Sequence, residues 1–157
     1  LAEESIRQKR PLPVGEMIPA ITVKTLAGQP IALTDLRGKF VLLDFWATWC
    51  LPCVEEHQHF VAVQEKYGGR KDFVILGISR DHEAATLREH LTRFPKIKWA
   101  QVFGTAGGVK QACDAFGVTA LPQVFLVGPD GTVIANDLRG DRIEQAVDGA
   151  LKAKSPE

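Results

Sequence analysis

The stretch Phe40-Val41-Leu42-Leu43-Asp44-Phe45-Trp46-Ala47-Thr48-Trp49-Cys50-Leu51-Pro52-Cys53 decides the fold. Asp44 apart, its first seven residues are apolar at both alternating positions, the pattern of a central strand covered on two faces. Cys50 and Cys53 then open a segment, Leu51 to Tyr67, in which Phe60, Val63 and Tyr67 recur at i, i+3 and i+7. That spacing predicts a helix with one buried stripe. Two thiols three residues apart at a helix start can close into a disulfide and open again, which suits reversible two-electron chemistry.

Such chemistry needs a thiolate. Cys50 falls at the N-cap or first helical position, where free N–H groups and the helix dipole favour negative charge and pull a thiol below its ordinary pKa of about 8.5. Cys53 lies one turn further in and is expected to be more buried. Cys50 is therefore read as the attacking sulfur and Cys53 as the one that resolves the mixed disulfide. Pro52 lacks an N–H that the first turn leaves unpaired anyway. The other reading of C-x-x-C is half of a zinc site, which needs a second ligand pair. His57 and His59 share the cysteines' own helix, with His57 about 10 Å along the axis from Cys50. Both are expected to be solvated, so neither a metal nor a cofactor is expected.

Asp44 interrupts the apolar strand, and no exposed face is evident for it. Burial raises a carboxyl pKa by disfavouring the charge. A near-neutral carboxyl beneath the dithiol can take the proton of Cys53 when that thiol must attack; the alternative is a purely structural Asp. Leu121-Pro122, just before the apolar run Gln123 to Val127, suits the start of a strand.

Outside this core the order reads β-β-β-α-β-α-β-α-β-β-α. Ile21–Thr25 and Pro30–Leu33 suggest a hairpin, and Gly128-Pro129-Asp130-Gly131 a second one. Phe73–Ile78 is another buried strand and Trp99–Phe103 a short one. Helices are expected around Ala84–Phe94, Val109–Phe116 and Ile143–Leu151. Alternating strands and helices imply an α/β fold with parallel pairing, and the late hairpin adds an antiparallel edge. Residues 1–20 read as an extended N-terminal arm, residues 14–152 as the folded domain, and Lys152–Glu157 as a frayed end. The formal net charge is +0, so no single-sign field is available to attract nucleic acid. No apolar run is long enough to span a bilayer. A start at Leu1 rather than Met suggests that a natural N-terminus has been removed; the residues themselves show neither a secretory signal nor a lipid anchor. Three cysteines exclude a framework built only of intrachain disulfides. Cys113 is read as a small buried apolar residue, with a third redox thiol or an intermolecular bridge as the alternative.

The segments Leu33–Lys39, Phe45-Trp46-Ala47-Thr48-Trp49-Cys50-Leu51-Pro52-Cys53 with Glu56, and Val118-Thr119-Ala120-Leu121-Pro122 resemble the TlpA/ResA-like branch of the thioredoxin superfamily, within the AhpC/TSA-redoxin-like group. The resemblance runs from about Val14 to Leu151. It implies a thioredoxin-like fold: a central mixed sheet flanked by helices, an N-terminal β-hairpin and an inserted helix–strand, Ala84–Phe103. It implies a cis Leu121–Pro122 bond facing the dithiol, with Trp49, Pro52, Ala120, Leu121 and Pro122 meeting a bound substrate strand. The implied activity is thiol–disulfide exchange with protein substrates, acting as a reductant and fed by an upstream dithiol donor. Extracytoplasmic location, a membrane tether before Leu1, a monomeric state and a role in cytochrome c maturation follow from the same resemblance. The chain also departs from the branch. Asp44 stands where many members carry Asn, which matches ordinary thioredoxins. The lysine that partners this Asp in thioredoxins is missing, the matching region being Leu76-Gly77-Ile78-Ser79. Val54 replaces a common Arg and Gln58 a helix-kinking Pro, while Asp81 and Glu83 lie near an acid used by some members. Two other functions compete. A peroxidase of the same wider fold needs a Pro at the position of Asp44. A copper carrier uses C-x-x-x-C, one residue longer than the spacing here.

Overall fold

β3 (Phe40–Trp46) is buried along its whole length and carries the sheet. In this computed structural model, which describes residues 10–153, β3 pairs in parallel with β4 (Phe73–Ser79) and antiparallel with β6 (Gln123–Val127). β5 (Ala100–Phe103) adds in parallel to β4, and β7 (Val133–Ala135) antiparallel to β6, giving the order β5-β4-β3-β6-β7. β1 (Thr22–Lys24) and β2 (Pro30–Ala32) form the separate hairpin, followed by a 3-10 turn, Leu33–Leu36. The expected element order stands, with that turn added. Residues 1–9 of the arm and 154–157 of the tail lie outside the described residues.

Alternation along β3 splits the core in two. Val41, Leu43 and Phe45 face one cluster with Val23, Leu33, Phe116 and Phe125, covered by the hairpin and by α3 (Val109–Phe116). Phe40 and Leu42 face the other, with Phe60, Val63 and Tyr67 of α1 (Leu51–Tyr67) and Ile143, Val147 and Leu151 of α4 (Asp141–Ala153). Asp44 and Trp46 share the face of Leu42, so they look toward α1. Near the end of β3, a third small cluster joins Trp46, Ala47, Cys50 and Cys53 to Leu87 of α2 (Ala84–Arg93). The chain thus leaves its most buried strand and enters α1 at the cysteines, and the packing of both elements fixes the turn between them.

The described part of the arm is bonded to the domain. Leu12 donates to the carbonyl of Phe116 at 2.9 Å, Gly15 to Val133 at 2.9 Å and Ile18 to Gly131 at 2.9 Å. The crossing over the end of α3 depends on Gly117, which holds φ +68° and sits so close to Arg10 that a Cβ would collide with the Arg10 carbonyl. Gly117→Ala is expected to cost about 1–2 kcal/mol from the left-handed backbone alone, and more from displacement of the arm. Thermal unfolding should show a fall in Tm of about 2–4 °C per kcal/mol.

Candidate active site around the Cys50–Cys53 pair

Cys50 is the N-cap of α1 in an extended conformation, and its Sγ accepts from the backbone N–H of Cys53 at 3.3 Å. The two sulfurs are joined as a disulfide, with Cα atoms 5.3 Å apart. Cys50 is 7% exposed and Cys53 fully buried, the expected ordering. Pro52 is the second residue of the helix, where its missing N–H costs nothing.

The turn Ala47-Thr48-Trp49 that delivers Cys50 is held by a residue that sequence reasoning left unassigned. Asp81, buried just beyond β4, accepts from the Thr48 N–H at 3.1 Å, the Thr48 hydroxyl at 2.6 Å and the Ser79 hydroxyl at 2.6 Å. Glu83, the other acid considered, is exposed at the N-cap of α2 and makes no side-chain cap bond. A second tie fixes Trp46, whose indole N–H donates to Gln101 Oε1 of β5 at 2.8 Å. Gly77 on β4, between them in the sheet, leaves the space; a Cβ there would collide with the Gln101 side chain. Glu56 takes no part in these bonds. It accepts from the Gly140 N–H at 2.7 Å and fastens the start of α4 to α1.

Asp44 lies on β3 between Gly77 and Val124, 1% exposed. Its Oδ2 is 2.8 Å from Nε2 of His57. This corrects the expectation for His57: it is 4% exposed and not solvated. The reason is its place on α1, one turn beyond Cys53 and on the same buried stripe as Cys53, Phe60 and Val63. The ring packs edge-on against Trp46 at 4.5 Å between centroids, with Phe60 at 5.7 Å and Trp99 at 5.9 Å. A lone carboxyl in an apolar core demands a partner. That demand, together with the stripe continued backward from Phe60, is the signal that locates His57. His59 is half-buried and lies 3.2 Å from Glu144 and 3.9 Å from Asp141 at the seam of α1 and α4. Asp141 is exposed and Glu144 half-buried, so His59 is not fully solvated as expected but packs at the surface seam of the two helices.

The Leu121–Pro122 bond is cis. Leu121 packs against the cluster that contains both cysteines, so this segment borders the disulfide. Arg139 donates to the Pro122 carbonyl at 3.1 Å. Ala120, on the outer side, is exposed, as are Pro52, Trp49 at 63% and Leu51 at 67%. The residues predicted for the site therefore converge on one end of the sheet, with Asp44 and His57 beneath the surface.

Residues 14–136 match the AhpC/TSA family. The chain belongs to that family. It is 30% identical over 154 residues to the thiol-disulfide oxidoreductase ResA of Bacillus thuringiensis (strain Al Hakam), covering 94% of this chain and 82% of the relative. Over 126 residues it is 29% identical to ResA of Bacillus subtilis (strain 168), covering 80% and 68%. A thiol:disulfide interchange protein from Bacteroides sp. superposes with a TM-score of 0.80 at 30% identity, covering 92% of this chain and 94% of that one. The thioredoxin domain of a thiol-disulfide oxidoreductase from Bacteroides vulgatus gives 0.79 at 30% identity, covering 88% and 97%. This AhpC/TSA member is a ResA-like enzyme of thioredoxin fold, a thiol–disulfide oxidoreductase acting on protein thiols and disulfides.

Burial pushes the Asp44 carboxyl above its ordinary value of 3.8, and the hydrogen bond and positive field of His57 oppose that shift without cancelling it. Between 3.8 and the higher folded-state pKa, the folded protein holds a proton that the unfolded chain has lost. Stability is then fully present at low pH and declines as pH rises through the folded pKa. Asp44→Asn should remove this decline. Urea unfolding across pH 4 to 8 should show the variant gaining on the parent as pH rises, by about 1.4 kcal/mol for each unit separating the two pKa values.

Proposed function

We propose that this enzyme reduces disulfides in extracytoplasmic protein substrates, with Cys50 as the attacking sulfur, Cys53 as the resolving sulfur and Asp44 as the group that receives the Cys53 proton. The observation that carries this reading is the asymmetry of the pair. Cys50 caps α1 and accepts the Cys53 N–H, so its thiolate form meets free amides and the positive end of the helix dipole. Cys53 is sealed beneath it, within the small cluster of Trp46, Ala47 and Leu87.

In the reaction the Cys50 thiolate attacks one sulfur of a substrate disulfide. A mixed disulfide forms and the other substrate sulfur leaves as a thiolate. Cys53 then loses its proton and attacks Cys50 Sγ, which releases the second substrate thiol and closes the Cys50–Cys53 disulfide. Two electrons pass from the enzyme to the substrate, and an upstream dithiol donor restores the reduced pair. The substrate strand is received at the exposed rim: Trp49, Leu51 and Pro52 on one side, and the backbone of Ala120 and Leu121 beside Pro122 on the other. Trp49 and Leu51 are the large exposed apolar residues next to the dithiol, which fits an unfolded or extended protein partner. The family resemblance extends this proposal to a monomeric, membrane-tethered form and to cytochrome c maturation as its setting.

Cys50→Ser should abolish insulin reduction. Cys53→Ser should accumulate mixed disulfides through Cys50, seen as thiol-sensitive bands on non-reducing gels. Trapping through Cys53 in the Cys50→Ser protein instead would reverse the assigned order. As a reductant, the pair should have a midpoint potential nearer −270 mV than −120 mV, measured by equilibration with glutathione or dithiothreitol; a value at the oxidising end would reverse the direction of electron flow.

A further inference from the structure

Asp44 is buried in the sheet, so a proton it takes from Cys53 exchanges with solvent only through a neighbouring group. We propose that His57 carries this proton, forming with Asp44 a two-residue relay between Cys53 and the open cavity bordered by α1, α2 and the segment Phe94–Ile97. The proposal rests on the oxidoreductase reading above and assigns His57 as a positioning and proton-transfer residue that acts through Asp44.

Three observations support it. First, Nε2 of His57 meets Asp44 Oδ2 at 2.8 Å. Second, Nδ1 of the same ring is buried and has no hydrogen-bond partner among the described residues, an exception to the rule that buried polar atoms are paired. Third, His57 lines a cavity of about 370 Å³ together with Val54, Val61, His90, Phe94 and Ile97. This volume holds several waters at about 30 Å³ each. His90, across the cavity on α2, likewise has a buried Nε2 without a partner. Both nitrogens are sealed in this conformation, so water on the cavity side meets them only when the wall of the cavity opens. Trp46, Phe60 and Trp99 clamp the ring of His57, so its two nitrogens keep fixed assignments, one toward Asp44 and one free.

The balance is complete in both half-reactions. During substrate reduction, the Asp44 carboxyl takes the Cys53 proton on one oxygen and releases a proton from Oδ2 to Nε2. The ring gives up its Nδ1 proton to water. Cys53 has lost one proton, water has gained one, and His57 has changed from the Nδ1–H to the Nε2–H tautomer. Re-reduction of the disulfide by the upstream dithiol returns a proton to Cys53 along the same path in reverse and restores the first tautomer. The charged and titratable groups around the pair are Glu56 on α1, His90 and Arg93 on α2, Lys96 on the cavity rim, and Asp81 near His90; Cys53 lies one turn before His57 on α1. Burial holds His90 below its ordinary value, which disfavours a positive charge on it beside the ring.

The test separates the two sulfur steps. His57→Gln retains an amide that can bond Asp44 but cannot exchange a proton through a second ring nitrogen. Capture of a substrate disulfide by Cys50 in His57→Gln/Cys53→Ser should match that in Cys53→Ser alone. In the His57→Gln protein with both cysteines, resolution of a preformed mixed disulfide should slow about tenfold near pH 7 and recover at high pH, where hydroxide removes the proton directly. Because that variant can fold poorly, the unmutated protein supplies the second readout. Its His57 15N shifts should report the Nε2–H tautomer when oxidised and Nδ1–H when reduced. A folded His57→Gln protein with unchanged resolution at every pH, or one tautomer in both redox states, would overturn the relay. Failure of Cys50 capture in the Cys53→Ser protein would instead overturn the oxidoreductase reading on which it rests.

Discussion

A carboxyl group in the middle of a sheet core is unstable without a hydrogen-bond partner, and the partner of Asp44 dictates how α1 lies on β3. His57 reaches Asp44 only if the buried stripe of α1 begins at Cys53 and runs through Phe60 to Tyr67. The same rotation turns Cys53 inward and leaves Leu51 and Pro52 outward. One polar contact thus fixes the helix about its axis, and the unequal exposure of the two sulfurs follows from that orientation. The apolar packing of Phe60 and Val63 supplies most of the adhesion between helix and sheet, but it tolerates small rotations that a 2.8 Å hydrogen bond does not.

Two further ties keep the strand end and the helix start in register. Asp81 gathers the N–H and hydroxyl of Thr48 with the hydroxyl of Ser79, and Gln101 receives the indole of Trp46. Hydrogen bonds to a charged acceptor contribute about 1.5–3 kcal/mol each, so Asp81 holds the turn more firmly than the Trp46–Gln101 contact holds the strand. The turn needs such support because Trp49, at its outer edge, is bare to solvent. The site is therefore rigid on its inner side and open on its outer side, a combination suited to partners of varied shape.

The fold was legible because periodicity changes sharply at Cys50, from a doubly buried strand to a helical stripe, and because glycine and proline mark both hairpins. The dithiol and the proline segment were legible from motif and order. His57 was not, since the apolar members of the stripe begin only at Phe60. Continued three residues back it includes His57, and Asp44 supplied the missing reason for a polar residue there. Asp81 and Gln101 lay beyond sequence reading for another cause. Trp46 pairs with Ser79, which brings Thr48 level with Asp81, and Gly77 pairs with Gln101. Such parallel registers are decided by packing across distant segments and leave no local trace.

Cys113 belongs to the cluster of Phe45 and Phe116, on the side of the sheet away from Trp46 and the disulfide, and burial pushes its thiol up from the ordinary value. A protein that handles reactive sulfur runs a standing risk of scrambling its own third cysteine into the redox couple. Here the sheet lies between the two sulfur sites, and the raised pKa of the spare sulfur lowers its share of reactive thiolate, which favours joining the same pair at each turnover.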